Sequence, residues 1–204
     1  MVLSTQDAYQ VLRRIDQMYP DASSELHWDN NFHLLCAVLM SAQTTDKMVN
    51  RIMPKFMADF PDAKTLGQAD ISAIETDIRT IGLFRMKAKH LKAMAQMLQD
   101  KYDGEVPANK QQLMELPGVG VKTANVVLAE GFGIPAIAVD THVARIAKAF
   151  EIVPQSATPV EIEHRLEEIL PEDEWIHTHH AMIYFGRYQW PARAKDKNPY
   201  HFLK

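Results

Sequence analysis

The chain has 204 residues, of which 47% are hydrophobic and 24% are charged, and its formal net charge is −4. This length and composition fit one large or two small globular domains and exclude the fibrous and disordered classes. Because the total charge is acidic, any affinity for nucleic acid must come from a local basic patch.

The N-terminal part of the chain predicts a protein without a membrane anchor. The first seven residues lack the charged and apolar regions of a signal peptide, and no apolar run reaches the ~18 residues of a membrane span. The single cysteine, Cys36, lies in the apolar run Phe32–Met40. That run predicts a helix buried on all sides, and one cysteine permits no intramolecular disulfide.

Helical periodicity of the apolar residues predicts an all-α fold. The buried faces are predicted to contain Ile71, Ile74 and Ile78, then Ala88, Leu91, Ala95 and Leu98, and finally Ile162, Leu166, Ile169 and Leu170. Thr158 and Glu161 flank Pro159 in the pattern of a capping box, which predicts a helix start there. Helix breaks are predicted at Pro20, Pro54, Pro61, Gly82, Gly104, Pro107, Gly131, Gly133, Pro135, Pro154 and Pro171.

The segment Leu116-Pro117-Gly118-Val119-Gly120-Val121-Lys122 predicts a tight turn between two helices, 111–116 and 122–129. Two glycines one residue apart can present backbone N–H groups at a helix start, where a phosphate binds favourably. The lysine follows in the first turn of that helix, and a lysine amine can form a Schiff base with a sugar carbon. The alternative is an ordinary helical hairpin with a solvated lysine.

A second candidate catalytic group follows an apolar run. Residues 134–139 predict an extended connection between two helical lobes, although a strand is the other interpretation. Asp140 then precedes a helix that bears Val143 and Ile146, so its carboxylate predicts an N-cap. A capping carboxylate is also suited to facing a cationic transition state.

The clearest basic patch lies at the C-terminal end. Between Phe185 and Lys204 there are five basic residues and one acidic residue, a local net charge of +4. The basic residues are Arg187, Arg193, Lys195, Lys197 and Lys204.

The hairpin, Lys122 and Asp140 resemble the endonuclease III family of DNA glycosylases, in the helix-hairpin-helix/GPD superfamily. The resemblance also includes Gln43 in the segment 39–46, Leu83 in 81–88, and the stretch from His179 to Tyr188. The resemblance spans nearly the whole chain. It implies two helical lobes with the active-site cleft between them. Residues 24–135 would form a continuous lobe with the hairpin at about 111–129, and residues 1–23 and 136–204 would form the second lobe.

The resemblance also implies a function, which is base excision repair on double-stranded DNA that carries a damaged base or an abasic site. Lys122 would attack the sugar C1′ and nick the strand by β-elimination, and Asp140 would support the first step. The hairpin backbone at Gly118, Val119, Gly120 and Val121 would grip a phosphate, and proteins of this type often hold a monovalent cation there. Gln43 would fill the space left by the extruded nucleotide, and Leu83 would wedge against the opposite strand.

The substrate and setting follow from the same resemblance. Relatives that remove adenine opposite oxidised guanine carry a glutamate within the segment matching 41–46 and lack the lysine, so oxidised pyrimidines are the expected substrate here. We expect a monomer in a bacterial cytoplasm, associated with the nucleoid. The alternatives are a non-catalytic DNA-binding scaffold and a glycosylase that seldom nicks.

Family members typically hold a [4Fe–4S] cluster with four cysteines after a Gly-Arg-Tyr segment. The corresponding positions here carry Trp190 and residues near Lys197 and Tyr200 instead. We therefore expect no cluster, no other metal and no cofactor. In place of the cluster the sequence predicts an aromatic, packed tail. In this tail Arg193, Lys195 and Lys197 would still face the DNA backbone. The alternative is a frayed terminus. The aromatic and apolar residues expected to pack are Tyr188, Trp190, Tyr200, Phe202 and Leu203.

Overall fold

A computed structural model of the chain describes residues 2–195 and 197–204, and within these ranges every regular element is helical. This confirms the all-α prediction. The α-helices are α1 (Thr5–Met18), α2 (Asn31–Ser41), α3 (Asp46–Asp59), α4 (Ala63–Gln68), α5 (Ile71–Ile78), α6 (Phe84–Tyr102), α7 (Lys110–Glu115), α8 (Val121–Phe132), α9 (Thr141–Ala149), α10 (Pro159–Ile169) and α11 (Trp175–Tyr184). Among the described residues no helix has both the length and the apolar character that crossing a bilayer requires.

The chain divides into two compact units. The continuous unit is Glu25–Ile134, and the split unit combines the residues up to Ser24 with Pro135–Lys204. The division falls within residues 133–140, which form neither helix nor strand.

Helix α2 is the centre of the continuous unit. Every residue from Phe32 to Met40 is buried, as predicted, because α3, α6 and α8 all pack around this helix. Helix α6 packs against α4 and α5 through the predicted face, whose four members are buried. These residues are Ala88, Leu91, Ala95 and Leu98.

Two predicted helix breaks are wrong, and packing explains both. Pro54 lies inside α3, which continues because Val49, Met53 and Phe56 bury one continuous face. That burial outweighs the single backbone hydrogen bond that proline removes. Gly131 lies inside α8, where a Cβ atom would come within 2.7 Å of Asn31 Oδ1, so the glycine allows close approach to α2 rather than ending the helix.

The core of the split unit forms between helices from both ends of the chain. Helix α1 packs against α10 and α11, and α9 packs against the same two helices. The predicted capping box at the start of α10 is confirmed, because Glu161 N–H donates to Thr158 Oγ1 and Thr158 N–H donates to Glu161 Oε2. A π-helical turn at Phe185–Gln189 leads from α11 into the C-terminal tail, residues 190–204.

Candidate functional site

The predicted hairpin is present between α7 and α8, and its first glycine is required by the backbone. Gly118 has φ +83°, a left-handed conformation that disfavours a side chain. A Cβ atom there would also lie 2.9 Å from Nδ1 of His90, because the imidazole packs directly on the turn. His90 thus supports the hairpin from α6.

The second glycine of the hairpin has a different role. Gly120 is the N-cap of α8, its φ of −100° suits any residue, and an added Cβ would meet nothing within 4 Å. No side chain within the described ranges caps the helix at this position. A helix start whose first N–H groups are not capped by a side chain can accept an external anion.

Lys122 lies one residue into α8 and is exposed, outside the buried face of the helix. Asn125, three residues further along α8, is 1% exposed. The reason is that α8 is buried over a wide arc, which includes Ala124 and Leu128, where it packs against α2. The Lys122 amine therefore lies outside the core, whereas the backbone of Lys122 is held in place because α8 packs against the core.

Asp140 is the N-cap of α9, as predicted. Its Oδ1 accepts hydrogen bonds from the backbone N–H groups of His142 and Val143, both at 2.8 Å. Since both bonds use Oδ1, the cap does not use Oδ2. The carboxylate is half-buried and fixed in direction, which is the condition for a group that stabilises charge by pre-organisation.

The surroundings of Asp140 include two half-buried groups, the imidazole of His142 and the guanidinium of Arg145. Burial lowers the pKa of His142, and the nearby Asp140 carboxylate opposes that shift. A Cβ on Gly186 would lie 2.8 Å from His142 Nδ1 and 3.2 Å from Arg145 Nη2. Gly186 therefore lets the π-helical turn lie directly against α9.

Gln43 and Leu83 share an unusual backbone conformation. Their φ angles are +54° and +58°, in the left-handed region that ordinary side chains seldom occupy. Gln43 is exposed, and Leu83 is 51% exposed rather than packed on the core. Strained, exposed residues of this kind cluster at functional sites.

The structure brings three of the sequence-predicted residues together. Gln43, Leu83 and Gly118 line one cavity of about 190 Å³ within the continuous unit. Lys87 and His90 line the same cavity, and sequence reasoning did not assign a role to either. A signal was available, because positions 83, 87 and 90 are spaced to fall on one face of a helix.

The tail is packed rather than frayed. Trp190 is 1% exposed, and its indole Nε1 donates to the carbonyl oxygens of Ala194 and Lys197, at 2.9 and 3.3 Å. The guanidinium of Arg145 lies over the Trp190 ring, 4.4 Å from its centroid, and donates to the Trp190 carbonyl at 2.9 Å. The indole therefore connects Trp190 with Lys197, and the resemblance implies the first two cluster-ligand positions at and near these residues.

Other tail residues divide between the core and the surface. Leu203 is 8% exposed, whereas Tyr200 is 42% exposed although its edge-on contact with Phe150 brings their ring centroids to 4.9 Å. The prediction that Tyr188 packs is wrong, because it is 61% exposed, with its ring edge-on to Tyr184 at 5.6 Å. The basic residues of the tail stay on the surface, at Arg193, Lys195 and Lys197.

These residues do not fit a [4Fe–4S] cluster, which needs four thiolates. The one cysteine, Cys36, is fully buried in α2, and burial raises the pKa of its thiol. Over the described ranges no group of three or more His, Cys, Asp or Glu side chains is placed to hold a metal ion.

Comparison with known proteins accounts for this set of features. The family model of the HhH-GPD superfamily base excision DNA repair proteins matches residues 36–172. The endonuclease III of Bacillus subtilis (strain 168) is 41% identical over 183 residues, which cover 90% of this chain and 84% of that protein.

Solved structures agree with the sequence relatives. A trapped endonuclease III–DNA covalent intermediate is 44% identical, with a TM-score of 0.92 and coverage of 94% of this chain and 90% of the other. A non-covalent endonuclease III–DNA complex is 41% identical, with a TM-score of 0.94 and coverage of 100% and 96%. The chain therefore belongs to the endonuclease III family of the helix-hairpin-helix/GPD superfamily of base excision DNA repair proteins.

Proposed function

We propose that this protein is a bifunctional DNA glycosylase and AP lyase that removes oxidised pyrimidines, with Lys122 as its nucleophile. The observation that carries the proposal is the exposed Lys122 in the first turn of a helix whose N-terminus lacks a side-chain cap. A phosphate held at that N-terminus keeps the attached sugar within reach of the amine.

The chemistry needs only groups that the chain supplies. The Lys122 amine attacks C1′ of the damaged nucleotide, the C1′–N bond breaks, and the base leaves with the electron pair and takes up a proton. The Asp140 carboxylate stabilises the positive charge that develops on the sugar. The lysine nitrogen then loses a proton, and the C1′–O4′ bond of the sugar ring breaks as O4′ takes up a proton, which leaves a Schiff base at C1′. The Schiff base loses a proton from C2′, the C3′–O bond breaks with the phosphate as leaving group, and the strand is nicked on the 3′ side.

Binding and extrusion are assigned to residues outside this chemistry. The backbone of Gly118, Val119, Gly120 and Val121 grips a phosphate without reading the base sequence, and a monovalent cation can share these backbone groups. Gln43 fills the space of the extruded nucleotide, and Leu83 wedges into the opposite strand. The left-handed backbone of both residues supports these roles.

We further propose that the enzyme works without a [4Fe–4S] cluster and without a metal other than the monovalent cation at the hairpin backbone. The support is the packing of Trp190 at the first ligand position and its hydrogen bond to the second, at Lys197. Arg193, Lys195 and Lys197 then present positive charge to the DNA backbone. The bacterial source of the Bacillus relative supports a bacterial cytoplasm as the setting, and we infer action at the nucleoid from the proposed DNA substrate.

The direct test is borohydride reduction during reaction with duplexes that contain thymine glycol or an abasic site. Wild type should give a covalent protein–DNA complex, and K122A and K122R should give none. The arginine variant keeps the charge but removes the primary amine, so it separates nucleophilic attack from phosphate binding.

The same assays discriminate the alternatives. Base release without a trapped complex would indicate a monofunctional glycosylase. Binding with neither base release nor trapping would indicate a non-catalytic scaffold.

A further inference from the structure

Lys87 is a buried lysine for which the proposed chemistry has no use. It is 4% exposed, and burial lowers the pKa of its amine. Its Nζ donates to the Met40 carbonyl oxygen and to Thr44 Oγ1, both at 2.8 Å. Burial of an ammonium group raises the free energy of the folded state unless its hydrogen bonds are well formed. An apolar side chain would fill this site at a lower free-energy cost.

The two acceptors of Lys87 lie on either side of Gln43. Met40 is near the C-terminal end of α2, where the carbonyl groups lack intrahelical partners and a positive charge is favourable. Thr44 precedes α3, and its N–H donates to the Ser41 carbonyl oxygen at 3.0 Å. The ammonium therefore closes the short loop that holds the exposed Gln43 at φ +54°.

Lys87 also contacts Leu83 through its backbone. Its N–H donates to the Leu83 carbonyl oxygen at 3.0 Å, which forms the first turn of α6. Leu83 is the N-cap of that helix, and no side chain within the described ranges caps it. A Cβ on Gly82 would lie 3.7 Å from the Gln43 carbonyl oxygen, so the two segments are adjacent. Lys87 thus bonds to the loop around Gln43 through its side chain and to Leu83 through its backbone.

We propose that Lys87 is a positioning residue, which holds Gln43 and Leu83 at the relative placement needed to extrude the damaged nucleotide. The inference depends on the proposed roles of Gln43 and Leu83. Lys87 does not touch the DNA in this account. It acts by fixing the loop at Gln43 relative to the start of α6.

The test compares K87M with a matched variant of the same helix, K92M. Lys92 Nζ donates to the Ala69 carbonyl oxygen at 2.7 Å, so K92M also removes one ammonium-to-carbonyl bond from α6 but leaves the Gln43 loop intact. Single-turnover base release from a thymine-glycol duplex should fall about tenfold in K87M and less than about twofold in K92M, since small misplacements of positioning groups have effects of this order. K87R should recover most of the rate, because its guanidinium can donate to both acceptors.

Two readouts separate positioning from a loss of stability. A 2-aminopurine beside the lesion should brighten less with K87M than with K92M, since its fluorescence reports unstacking of the neighbouring base. In the Q43A background, K87M should cause little further loss, because the residue through which it acts is already truncated. If K87M does not fold, T44V removes one acceptor alone and should still reduce the fluorescence change.

The outcomes are distinct from those of the proposed function. If wild type releases no base from any lesion, the proposed function fails. If wild type is active but K87M and K92M are equally affected, or if the K87M and Q43A effects simply add, Lys87 is a structural lysine and this inference is overturned. Equal fluorescence changes in T44V and wild type would overturn it as well.

Discussion

The hairpin and the C-terminal tail both present positive or donor groups on the surface, but they are held in opposite ways. The hairpin is fixed by its backbone, through Gly118 at φ +83° and the His90 ring packed on it. The tail is fixed by one large side chain, Trp190, which is 1% exposed and bonded to two carbonyl groups. Backbone geometry thus determines one region and side-chain packing the other.

This difference predicts how each region tolerates substitution. A backbone with a positive φ beneath a packed ring tolerates few substitutions, as at Gly118. A loop that only has to be compact can be stabilised by an iron–sulfur cluster or by an indole with a stacked guanidinium. Arg145, over the Trp190 ring and bonded to its carbonyl, supplies that second solution.

The largest effect should come from W190A. Loss of this buried ring should reduce the free energy of unfolding by about 3–5 kcal/mol and expose the tail. The matched variant is W175A, because Trp175 also donates from its indole Nε1, to the Leu170 carbonyl at 3.0 Å, but lies outside the tail. Trypsin should cleave after Arg193, Lys195 or Lys197 faster in W190A than in W175A, and equal cleavage would show that Trp190 does not hold the tail.

Two glycine variants should separate the contribution of the hairpin to folding stability from its contribution to DNA binding. G118A should lower the free energy of unfolding by about 1–3 kcal/mol, because φ is positive and the new methyl group meets His90. G120A should leave stability unchanged or slightly raised, since nothing lies within 4 Å of the added Cβ. G120A should nevertheless weaken DNA affinity in a binding titration. If G120A binds normally, the phosphate is not held at this N-cap.

The smallest effect should be a pH dependence at His142, which packs against Gly186 beside Asp140. Because burial lowers its pKa in the folded state, the unfolded state takes up a proton at a higher pH. Below the usual histidine pKa of about 6.5, this difference lowers stability as the pH falls.

Urea unfolding across pH 5 to about 7.5 should therefore show that the free energy of unfolding falls less at acid pH in H142N than in wild type. The control is H164N, since the His164 side chain is 69% exposed and its removal should leave the slope unchanged. An identical slope in H142N and wild type would contradict the assignment.

Much of the fold was predictable because apolar periodicity and capping chemistry act locally. The buried α2, the buried face of α6 and the capping box of α10 follow from such patterns. Pro54 was misjudged because packing of the α3 face overrides a local helix breaker. The helical spacing of Val49, Met53 and Phe56 was present in the sequence, but the proline was given more weight than this spacing.

The residues of the candidate site also divide into those set by local sequence and those set by contacts distant in the chain. The turn glycines and the Asp140 cap are local features and were predicted. Lys87 was not, because its partners Met40 and Thr44 lie 47 and 43 positions earlier in the chain. The packing of Trp190 on Arg145 was missed for the same reason, with 45 positions between the bonded residues.

The central claim is that Lys122 forms a Schiff base in a protein held together without a cluster. The most direct measurement is borohydride trapping on abasic DNA with purified protein whose iron content is measured in the same sample. We expect iron-free protein to give a trapped complex that K122R abolishes, with a yield unaffected by a chelator. Trapping that appears only after iron and sulfide are supplied, or that persists in K122R, would contradict the account.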